Sequence, residues 1–226
     1  MKIAAIVLAG GKGTRMNSEK KKQYLKLNDI PIFLISLEKL MEIDCISEYI
    51  LVVPKDDEGY INRLIESYNI GNVRIAFSGK RRQDSVFNGL KKIKKSDKVI
   101  IHDSVRPFFT YEMVNSGIER LKEYDAVIPG IAVKDTIKET KDNTVRKTLK
   151  RSNLTAVQTP QFFDFDKLFE LYKEYDKKYF TDDSYLFELK NITVSIIMGL
   201  EENIKITTPL DFEIARVLAK KGKADV

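Results

Sequence analysis

The chain of 226 residues is 43% hydrophobic and 32% charged, and it carries a formal net charge of +6. These values favour one large α/β domain over two small ones, and no stretch approaches the roughly 20 apolar residues that a membrane-spanning helix needs. The apolar run 3–8 is too short for a secretory signal and Cys45 is the single cysteine, so we expect a cytoplasmic protein without a disulfide framework.

Apolar runs alternate with amphipathic stretches along the chain. The predicted strands cover residues 2–8, 49–53, 73–77, 98–102, 126–129 and 193–198, and the predicted helices cover residues 31–42, 57–68, 84–94, 111–123 and 209–220. The first, second and fourth strands are continuous apolar runs, which is typical of strands buried on both faces. The alternation predicts right-handed crossovers and a largely parallel sheet covered by helices, as one domain over 1–226.

The first predicted strand runs into the glycine-rich sequence LAGGKGTRM, which contains Gly10, Gly11 and Gly13. No spacing in it matches a Walker A motif. A dinucleotide-binding G-x-G-x-x-G motif fails at Met16, and no acidic residue ends the second strand. Both P-loop ATP hydrolysis and NAD binding are therefore disfavoured. Glycines after a buried strand still let backbone amides approach an anion closely.

Cations follow this loop at once, as Arg15 and then Lys20, Lys21 and Lys22. Beside exposed amides they suit a triphosphate, because positive charge neutralises phosphoryl oxygens as they gain charge in transfer. The alternative is a tight turn followed by a solubilising run of lysines.

Two further motifs follow predicted strands. In GKRRQDSV (79–86), Gly79 permits close approach of the backbone, and Asp84 and Ser85 serve either as helix caps or as hydrogen-bond partners of a ligand. In HDSVRPF (102–108), Asp103 follows a buried strand. It is expected at the carboxyl end of the sheet, where open α/β folds bind ligands.

Asp103 is a candidate Mg²⁺ ligand, because magnesium in phosphoryl-transfer sites takes one or two carboxylates together with phosphate oxygens. Arg106 could hold a phosphate through its guanidinium group, and the alternative is a structural Asp–Arg pair. His102 is the single histidine. A phosphate nucleophile is already ionised at neutral pH, so we expect a structural or orienting role for His102 rather than that of a general base.

Residues 133–151 alternate apolar with polar or charged residues around a turn at 141–143, which predicts a β-hairpin with few core residues. Such an exposed arm either docks on another subunit or is a simple surface hairpin, and the sequence leaves both open. Three clusters, VKDTIK (133–138), QTPQFF (158–163) and NIKITTP (203–209), place Thr, Lys or Gln beside apolar fragments, where they either face a phosphate or lie on the surface.

Taken in order, these motifs and the segments KQYLKL (22–27) and TDDS (181–184) resemble the 2-C-methyl-D-erythritol 4-phosphate cytidylyltransferase family over nearly the whole chain. The resemblance implies a single Rossmann-like α/β domain with a mainly parallel, helix-covered sheet and a protruding β-arm (133–151), assembled as a homodimer. It also implies that a phosphate oxygen of a polyol phosphate attacks the α-phosphorus of CTP, that pyrophosphate leaves, and that Mg²⁺ is the cofactor.

The resemblance also implies roles for individual residues. Arg15 and Lys22 match the two residues that stabilise the developing charge, and Asp103 matches the magnesium-binding aspartate. Arg151, which the arm would carry into the neighbouring subunit's site, and Lys205 match the pair that positions the acceptor phosphate. The implied nucleotide contacts are Leu8, Ala9, Gly10, Gly11, Gly79 and Ser85, and the implied acceptor contacts are Asp103, Ser104, Arg106, Thr136, Thr159 and Thr181.

Some positions depart from the family pattern. The family usually has a proline where this chain has Lys21, and Ser104-Val105 and the LAGG ending are closer to the related ribitol 5-phosphate cytidylyltransferases. RRQDSV, DTIK and TDDS are closer to the methylerythritol phosphate enzymes. We therefore expect methylerythritol phosphate as the acceptor, with ribitol 5-phosphate, which would give CDP-ribitol, as the alternative.

A basic nucleic-acid-binding module is a distant alternative. It would gather basic residues and stacking aromatics on one face, whereas Phe165, Leu168, Phe169 and Tyr172 follow the spacing of a helix that packs on a core. We therefore expect neither a nucleic-acid nor a membrane partner.

Overall fold

A computed structural model describes residues 1–11, 21–175, 177–220 and 222. The strands are β1 (Ile3–Leu8), β2 (Lys26–Leu27), β3 (Ile30–Pro31), β4 (Ile46–Val53), β5 (Val73–Phe77), β6 (Lys98–Asp103), β7 (Ala126–Ala132), β8 (Lys138–Lys141), β9 (Thr144–Thr148), β10 (Thr155–Val157), β11 (Gln161–Asp164) and β12 (Val194–Met198). The α-helices are α1 (Ile32–Met41), α2 (Glu58–Ser67), α3 (Arg82–Leu90), α4 (Tyr111–Arg120), α5 (Phe165–Glu174), α6 (Tyr185–Glu188) and α7 (Pro209–Lys220).

The central sheet has eight strands. Seven of them pair in the order β10-β7-β11-β6-β1-β4-β5, and the eighth, β12, also pairs with β7. β1, β4, β5 and β6 pair in parallel, and so do β7 and β12. The fold class predicted from the sequence, an α/β domain with a mainly parallel, helix-covered sheet, is therefore confirmed.

Helices cover both faces of the sheet because side chains alternate along each buried strand. On β1, Ala5 and Val7 join the core that includes Phe33 of α1 and Val114 of α4. The other set, Ala4 and Ile6, joins the core formed with α3, α5 and α6. The continuous apolar run that predicted a doubly buried strand thus fills two cores at once.

β10 and β11 are antiparallel to their neighbours, and the sequence did not predict them. β11 lies between β6 and β7, and its residue Phe162 pairs with Ile100 on one side and Val127 on the other. A short apolar run such as QFF fits a strand of either direction, so hydrophobic periodicity could not assign it.

The hairpin predicted within 133–151 is present as the antiparallel pair β8–β9, a two-stranded sheet separate from the central one. Its turn residues Asp142 and Asn143 have φ of 50° and 59°. Two successive positive φ values are the mark of a type I′ turn, whose twist matches that of the flanking strands. The strands of this arm are exposed along most of their length.

Parallel pairing places the carboxyl ends of β1, β4, β5 and β6 at one edge of the sheet. Leu8, the last residue of β1, pairs with Asp103, the last residue of β6. Loops that follow four different strands therefore converge at this edge, where open α/β sheets bind their ligands. Among the described residues, no helix is long and apolar enough to cross a membrane.

Candidate active site

A cleft of about 540 Å³ opens at this edge of the sheet. Its walls come from the loops after β1, β4, β5 and β6, from the turn at 21–23 and from Lys205. Ten residues singled out from the sequence line it: Leu8, Ala9, Gly10, Gly11, Lys22, Gly79, Ser85, Asp103, Ser104 and Lys205. The motifs that are far apart along the chain thus meet at one site.

Two of the glycines permit the loops to pack against one another. A Cβ on Gly10 would lie less than 3.0 Å from the Cβ of Ser78, and a Cβ on Gly79 would lie equally close to the Cβ of Asp84. Real Cβ atoms do not approach so closely, so any side chain at either position would push two walls of the cleft apart. The contacts to a nucleotide that the resemblance implies for these residues remain predictions.

Asp84 and Ser85 have local partners at the start of α3. The carboxylate of Asp84 accepts hydrogen bonds from the backbone N–H of Arg81 at 2.9 Å and from its guanidinium group at 2.6 Å, and this bonding lowers the pKa of Asp84. The hydroxyl of Ser85 accepts from the backbone N–H of Gly79 at 3.0 Å and donates to the carbonyl of Arg81 at 3.1 Å. Both side chains therefore fix the loop that precedes the helix, and Ser85 also faces the cleft.

Asp103 lies between two cations on the floor of the cleft. Its Oδ2 is 2.6 Å from Nζ of Lys205, and its Oδ1 is 3.4 Å from Nε of Arg82. Burial alone would raise the pKa of Asp103, but the charges of Arg82 and Lys205 outweigh it and hold that pKa well below its usual range. The carboxylate is therefore ionised at neutral pH.

Arg82 connects Asp103 to a second buried carboxylate, that of Asp183, which lies in the TDDS motif (181–184) but received no role from the sequence. Its Nη1 is 2.7 Å from Oδ2 of Asp183, and the hydroxyl of Tyr172 donates a hydrogen bond to the same carboxylate. Burial opposes the charge of Arg82, but the two carboxylates raise its pKa above the usual value. Arg82 is half-buried and bridges two acids, which hold its guanidinium plane in place beside Asp103.

Lys22 lines the same cleft. It begins a one-turn 3-10 helix (Lys22–Tyr24), and its Nζ donates a hydrogen bond to the carbonyl of Ile206 at 3.2 Å. The backbone N–H of Ile206 in turn donates to the carbonyl of Val105 at 2.9 Å. The segment between β12 and α7 therefore brings Lys205 and Lys22 to the loop that carries Asp103.

His102 and Thr159 lie behind the cleft and are buried. The hydroxyl of Thr159 accepts from the backbone N–H of Asp103 at 3.1 Å and lies 3.1 Å from Nδ1 of His102. Burial lowers the pKa of His102 to about 3, so the ring is neutral throughout the physiological range. Thr159 thus holds the backbone N–H of Asp103, and His102 contacts the hydroxyl of Thr159. The structural or orienting role of His102 remains a prediction.

Arg106 is largely buried and braces the loop after β6. Its Nη1 donates to the carbonyl of Asn203 at 2.9 Å, and burial lowers its pKa. It joins the loop that contains Asp103 to the segment that contains Lys205, and it does not itself line the cleft. Contact between Arg106 and an acceptor phosphate remains a prediction.

Three predicted site residues lie apart from this cleft. Thr136, Arg151 and Thr181 are all exposed, and Nη1 of Arg151 donates to the carbonyl of Lys134 at 2.5 Å. Thr136 and Arg151 stand at the two ends of the β-arm, where it leaves the domain. Arg15, predicted as a catalytic residue, lies outside the described residues, as do Gly13 and Met16.

The cleft is electropositive. Within the part of the chain that the structure describes, six cationic side chains line it against two carboxylates: Lys21, Lys22, Lys80, Arg81, Arg82 and Lys205 against Asp56 and Asp103. A concave site with a surplus of one sign of charge focuses its field and raises the local concentration of anions. The arrangement therefore suits a polyphosphate better than a neutral or cationic ligand.

The donors in the cleft also fit a magnesium ion shared with a substrate. Among the described residues, no group of three or more His, Cys, Asp or Glu side chains could hold a metal by itself. Mg²⁺ in phosphoryl-transfer sites is bound by one or two carboxylates and completes its shell with phosphate oxygens and water. The ionised carboxylate of Asp103 can supply the protein ligand in such a donor set.

Comparison with known sequences gives one family over nearly the whole chain. The family model for IspD, 2-C-methyl-D-erythritol 4-phosphate cytidylyltransferase, matches residues 3–221. A relative of that name from Clostridium beijerinckii is 43% identical over 222 residues, which cover 96% of this chain and 98% of the relative. Another, from Clostridioides difficile, is 40% identical over 226 residues, with 98% and 95% covered.

Solved structures agree with the sequence comparison. A 4-diphosphocytidyl-2C-methyl-D-erythritol synthase from Anaerococcus prevotii superposes with a TM-score of 0.85 at 36% identity, covering 97% of this chain and 96% of that one. A 2-C-methyl-D-erythritol 4-phosphate cytidylyltransferase from Francisella tularensis gives a TM-score of 0.82 at 27% identity, covering 96% and 99%. The likeness thus extends over the whole domain, including the strands whose ends form the cleft.

Proposed function

Because the chain belongs to the 2-C-methyl-D-erythritol 4-phosphate cytidylyltransferase family, we propose that the cleft around Asp103 is the site at which it transfers CMP from CTP to that acceptor. The observation that carries this assignment is the ionised Asp103, held between Lys205 and Arg82 and facing Lys22 and the glycine-rich loop. The ribitol alternative left open by the sequence is set aside, because the relatives that cover the chain carry the name of the methylerythritol phosphate enzyme.

The reaction needs no proton transfer from the protein. An ionised phosphate oxygen of the acceptor forms a new bond to the α-phosphorus of CTP while the bond from that phosphorus to the α,β-bridging oxygen breaks. The electron pair of the broken bond leaves with pyrophosphate. The protein's task is therefore to hold two anions together and to neutralise the charge that develops on the transferring group.

We assign that neutralisation to Lys22, together with Arg15 of the glycine-rich loop. Support comes from the turn that places Lys22 beside the segment of Lys205 and from the cationic lining of the cleft. Preorganised cations stabilise a transition state without reorganising during the reaction. Lys205, which is already paired with the carboxylate of Asp103, is positioned to exchange that partner for the acceptor phosphate.

We assign Mg²⁺ binding to Asp103. When bound there with the triphosphate, the ion would neutralise phosphoryl oxygens and favour departure of pyrophosphate. The cations of Lys205 and Arg82 keep Asp103 deprotonated, so the carboxylate is ready to bind a metal without losing a proton first.

We also propose that the protein is a homodimer in which the β-arm carries Arg151 into the partner's cleft. The arm's strands are exposed, and the side chain of Val145 on β9 is 56% exposed. Arg151 and Thr136, which the resemblance assigns to the acceptor site, lie at the base of the arm rather than in the cleft of their own chain. In a twofold dimer with exchanged arms, Arg151 and Thr136 of each chain would lie at the cleft of the partner chain.

Subunit mixing tests both the activity and the arm. The wild-type chain is expected to release pyrophosphate from CTP when methylerythritol phosphate is present, and Arg151→Ala and Lys22→Ala chains are each expected to be nearly inactive. Unfolded together and refolded at equal amounts, the two variants are expected to recover about a quarter of wild-type activity, because half of the dimers then contain one intact site of two.

The control is the same mixture of Lys205→Ala and Lys22→Ala chains. Both of these residues belong to the chain's own cleft, so a mixed dimer contains no intact site and no activity should return. Recovery in both mixtures, or in neither, contradicts the assignment of Arg151 to the partner's site. A wild-type chain that releases no pyrophosphate contradicts the proposed activity itself.

A further inference from the structure

One carboxylate outside the cleft holds the turn that carries Lys22 from both ends. Nζ of Lys21, the residue before Lys22, lies 2.8 Å from Oδ1 and 2.6 Å from Oδ2 of Asp57. The hydroxyl of Tyr24, two residues after Lys22, donates to the same Oδ2 at 2.6 Å. The neighbours of Lys22 on both sides are thus tied to a single acid that is 36 positions from Lys21 along the chain.

Asp57 is itself fixed to the sheet. It ends a one-turn 3-10 helix (Lys55–Asp57) that follows β4 directly, and its backbone N–H donates to the carbonyl of Pro54 at 3.0 Å. Its side chain is only 17% exposed. The carboxylate is therefore fixed relative to β4. Its bonds to Lys21 and Tyr24 hold the turn in a set position relative to that strand.

Ring contacts of Tyr24 and hydrogen bonds of Gln23 complete the attachment of this turn. The ring of Tyr24 packs edge-on against Phe33 and Tyr60, with ring centroids 5.9 Å and 5.3 Å away. Nε2 of Gln23 donates to the carbonyls of Ala9 at 2.8 Å and Gly11 at 3.0 Å, at the start of the glycine-rich loop. The backbone of Lys22 is thereby held in register with the start of that loop, and its side chain lines the cleft.

We propose that Asp57 is a positioning residue for catalysis, which by clamping Lys21 and Tyr24 aims the ammonium group of Lys22 at the reacting phosphates. This inference rests on the proposed function of Lys22 as the charge-stabilising cation. A flexible lysine side chain on a loose loop would spend only part of its time at the correct place, and a misplacement of about 1 Å is enough to lower a rate up to a hundredfold.

The backbone conformation of Lys21 allows a test of whether Lys21 acts by fixing the turn or through the charge of its ammonium group. Lys21 has φ of −60° and ψ of 137°, and −60° is close to the φ that a proline ring imposes. A proline there would restrict the entry to the turn without an ammonium group. If Lys21 acts by fixing the turn, Lys21→Pro should keep most of the activity that Lys21→Met loses.

The decisive experiment is a double-mutant cycle on kcat with Asp57→Asn and Lys22→Ala in the full-length protein. In the wild-type background, Asp57→Asn is expected to lower kcat about tenfold and to leave the Tm nearly unchanged, because a partly exposed ion pair contributes little to stability. In the Lys22→Ala background the same change is expected to lower kcat by less than about twofold, because the residue through which it acts is gone. Glu58→Gln, which removes a negative charge one residue further on, is the matched control and should stay within about twofold of wild type.

Each other outcome decides against the clamp or against its premise. An equal loss from Asp57→Asn in both backgrounds would mean that Asp57 acts independently of Lys22, and no loss in the wild-type background would mean that the clamp is dispensable. Equal losses in Lys21→Met and Lys21→Pro would show that the ammonium of Lys21 acts directly. Wild-type turnover in Lys22→Ala alone would instead overturn the proposed role of Lys22, independently of Asp57.

Discussion

Replacing Asp103 by asparagine is expected to lower kcat by about a hundred- to a thousandfold, a loss typical of removing one charge-bearing group from a preorganised site. The substitution keeps the shape of the side chain but removes the negative charge. Lys205 and Arg82, now 2.6 Å and 3.4 Å from the carboxylate oxygens, would then face an uncharged amide. The proposed oxygen ligand for Mg²⁺ would also be weaker.

The measurement is the rate of pyrophosphate release at saturating CTP and metal, with circular dichroism and Tm to show that the variant is folded. Asp56→Asn is the matched control, because Asp56 is a second carboxylate that lines the cleft among the described residues. We expect it to lose less than about tenfold, since it has no predicted contact with the reacting groups. An Asp103→Asn variant with near wild-type turnover would remove Asp103 from the site.

The second large effect is expected from Lys22→Ala, which should lower kcat about a hundredfold or more by removing a cation that stabilises developing charge. The loss should appear in kcat more than in KM for CTP, because the interaction strengthens as the phosphoryl oxygens gain charge. The substitution also removes the hydrogen bond from Nζ to the carbonyl of Ile206, so circular dichroism and Tm are measured beside kcat to show that the variant is folded.

Lys80→Ala is the matched control for Lys22, because Lys80 lines the same cleft without a predicted role in transfer. It should stay within about fivefold of wild type. Comparable losses in the two variants would mean that the cleft needs only its overall positive charge, and near-normal turnover in Lys22→Ala would remove that residue from the catalytic group.

Much of the fold could be predicted because hydrophobic pattern and chain order determine it. The predicted strands at 2–8, 49–53, 73–77 and 98–102 correspond to β1, β4, β5 and β6, which are apolar enough to be recognised alone. β11 could not be assigned a direction, because pairing with β6 and β7 depends on tertiary context. The position of the turn in the arm was predicted, because Asp and Asn tolerate positive φ.

The location of the site was predictable for a similar reason, since loops after parallel strands must meet at one edge. Side-chain partners were not predictable, because they join residues far apart in sequence. Asp103 and Lys205 are 102 positions apart, and Arg82 and Asp183 are 101 apart. Sequence patterns also could not decide between capping and ligand binding for Asp84, which the structure pairs with Arg81.

The most direct test of the central claim is pyrophosphate release from CTP and Mg²⁺ with methylerythritol phosphate in one reaction and ribitol 5-phosphate in another. We predict release with methylerythritol phosphate, little with ribitol 5-phosphate, and none with either when EDTA removes the divalent metal. Release with ribitol 5-phosphate alone, or with neither acceptor, would contradict the assignment of this cleft to cytidylyl transfer onto methylerythritol phosphate.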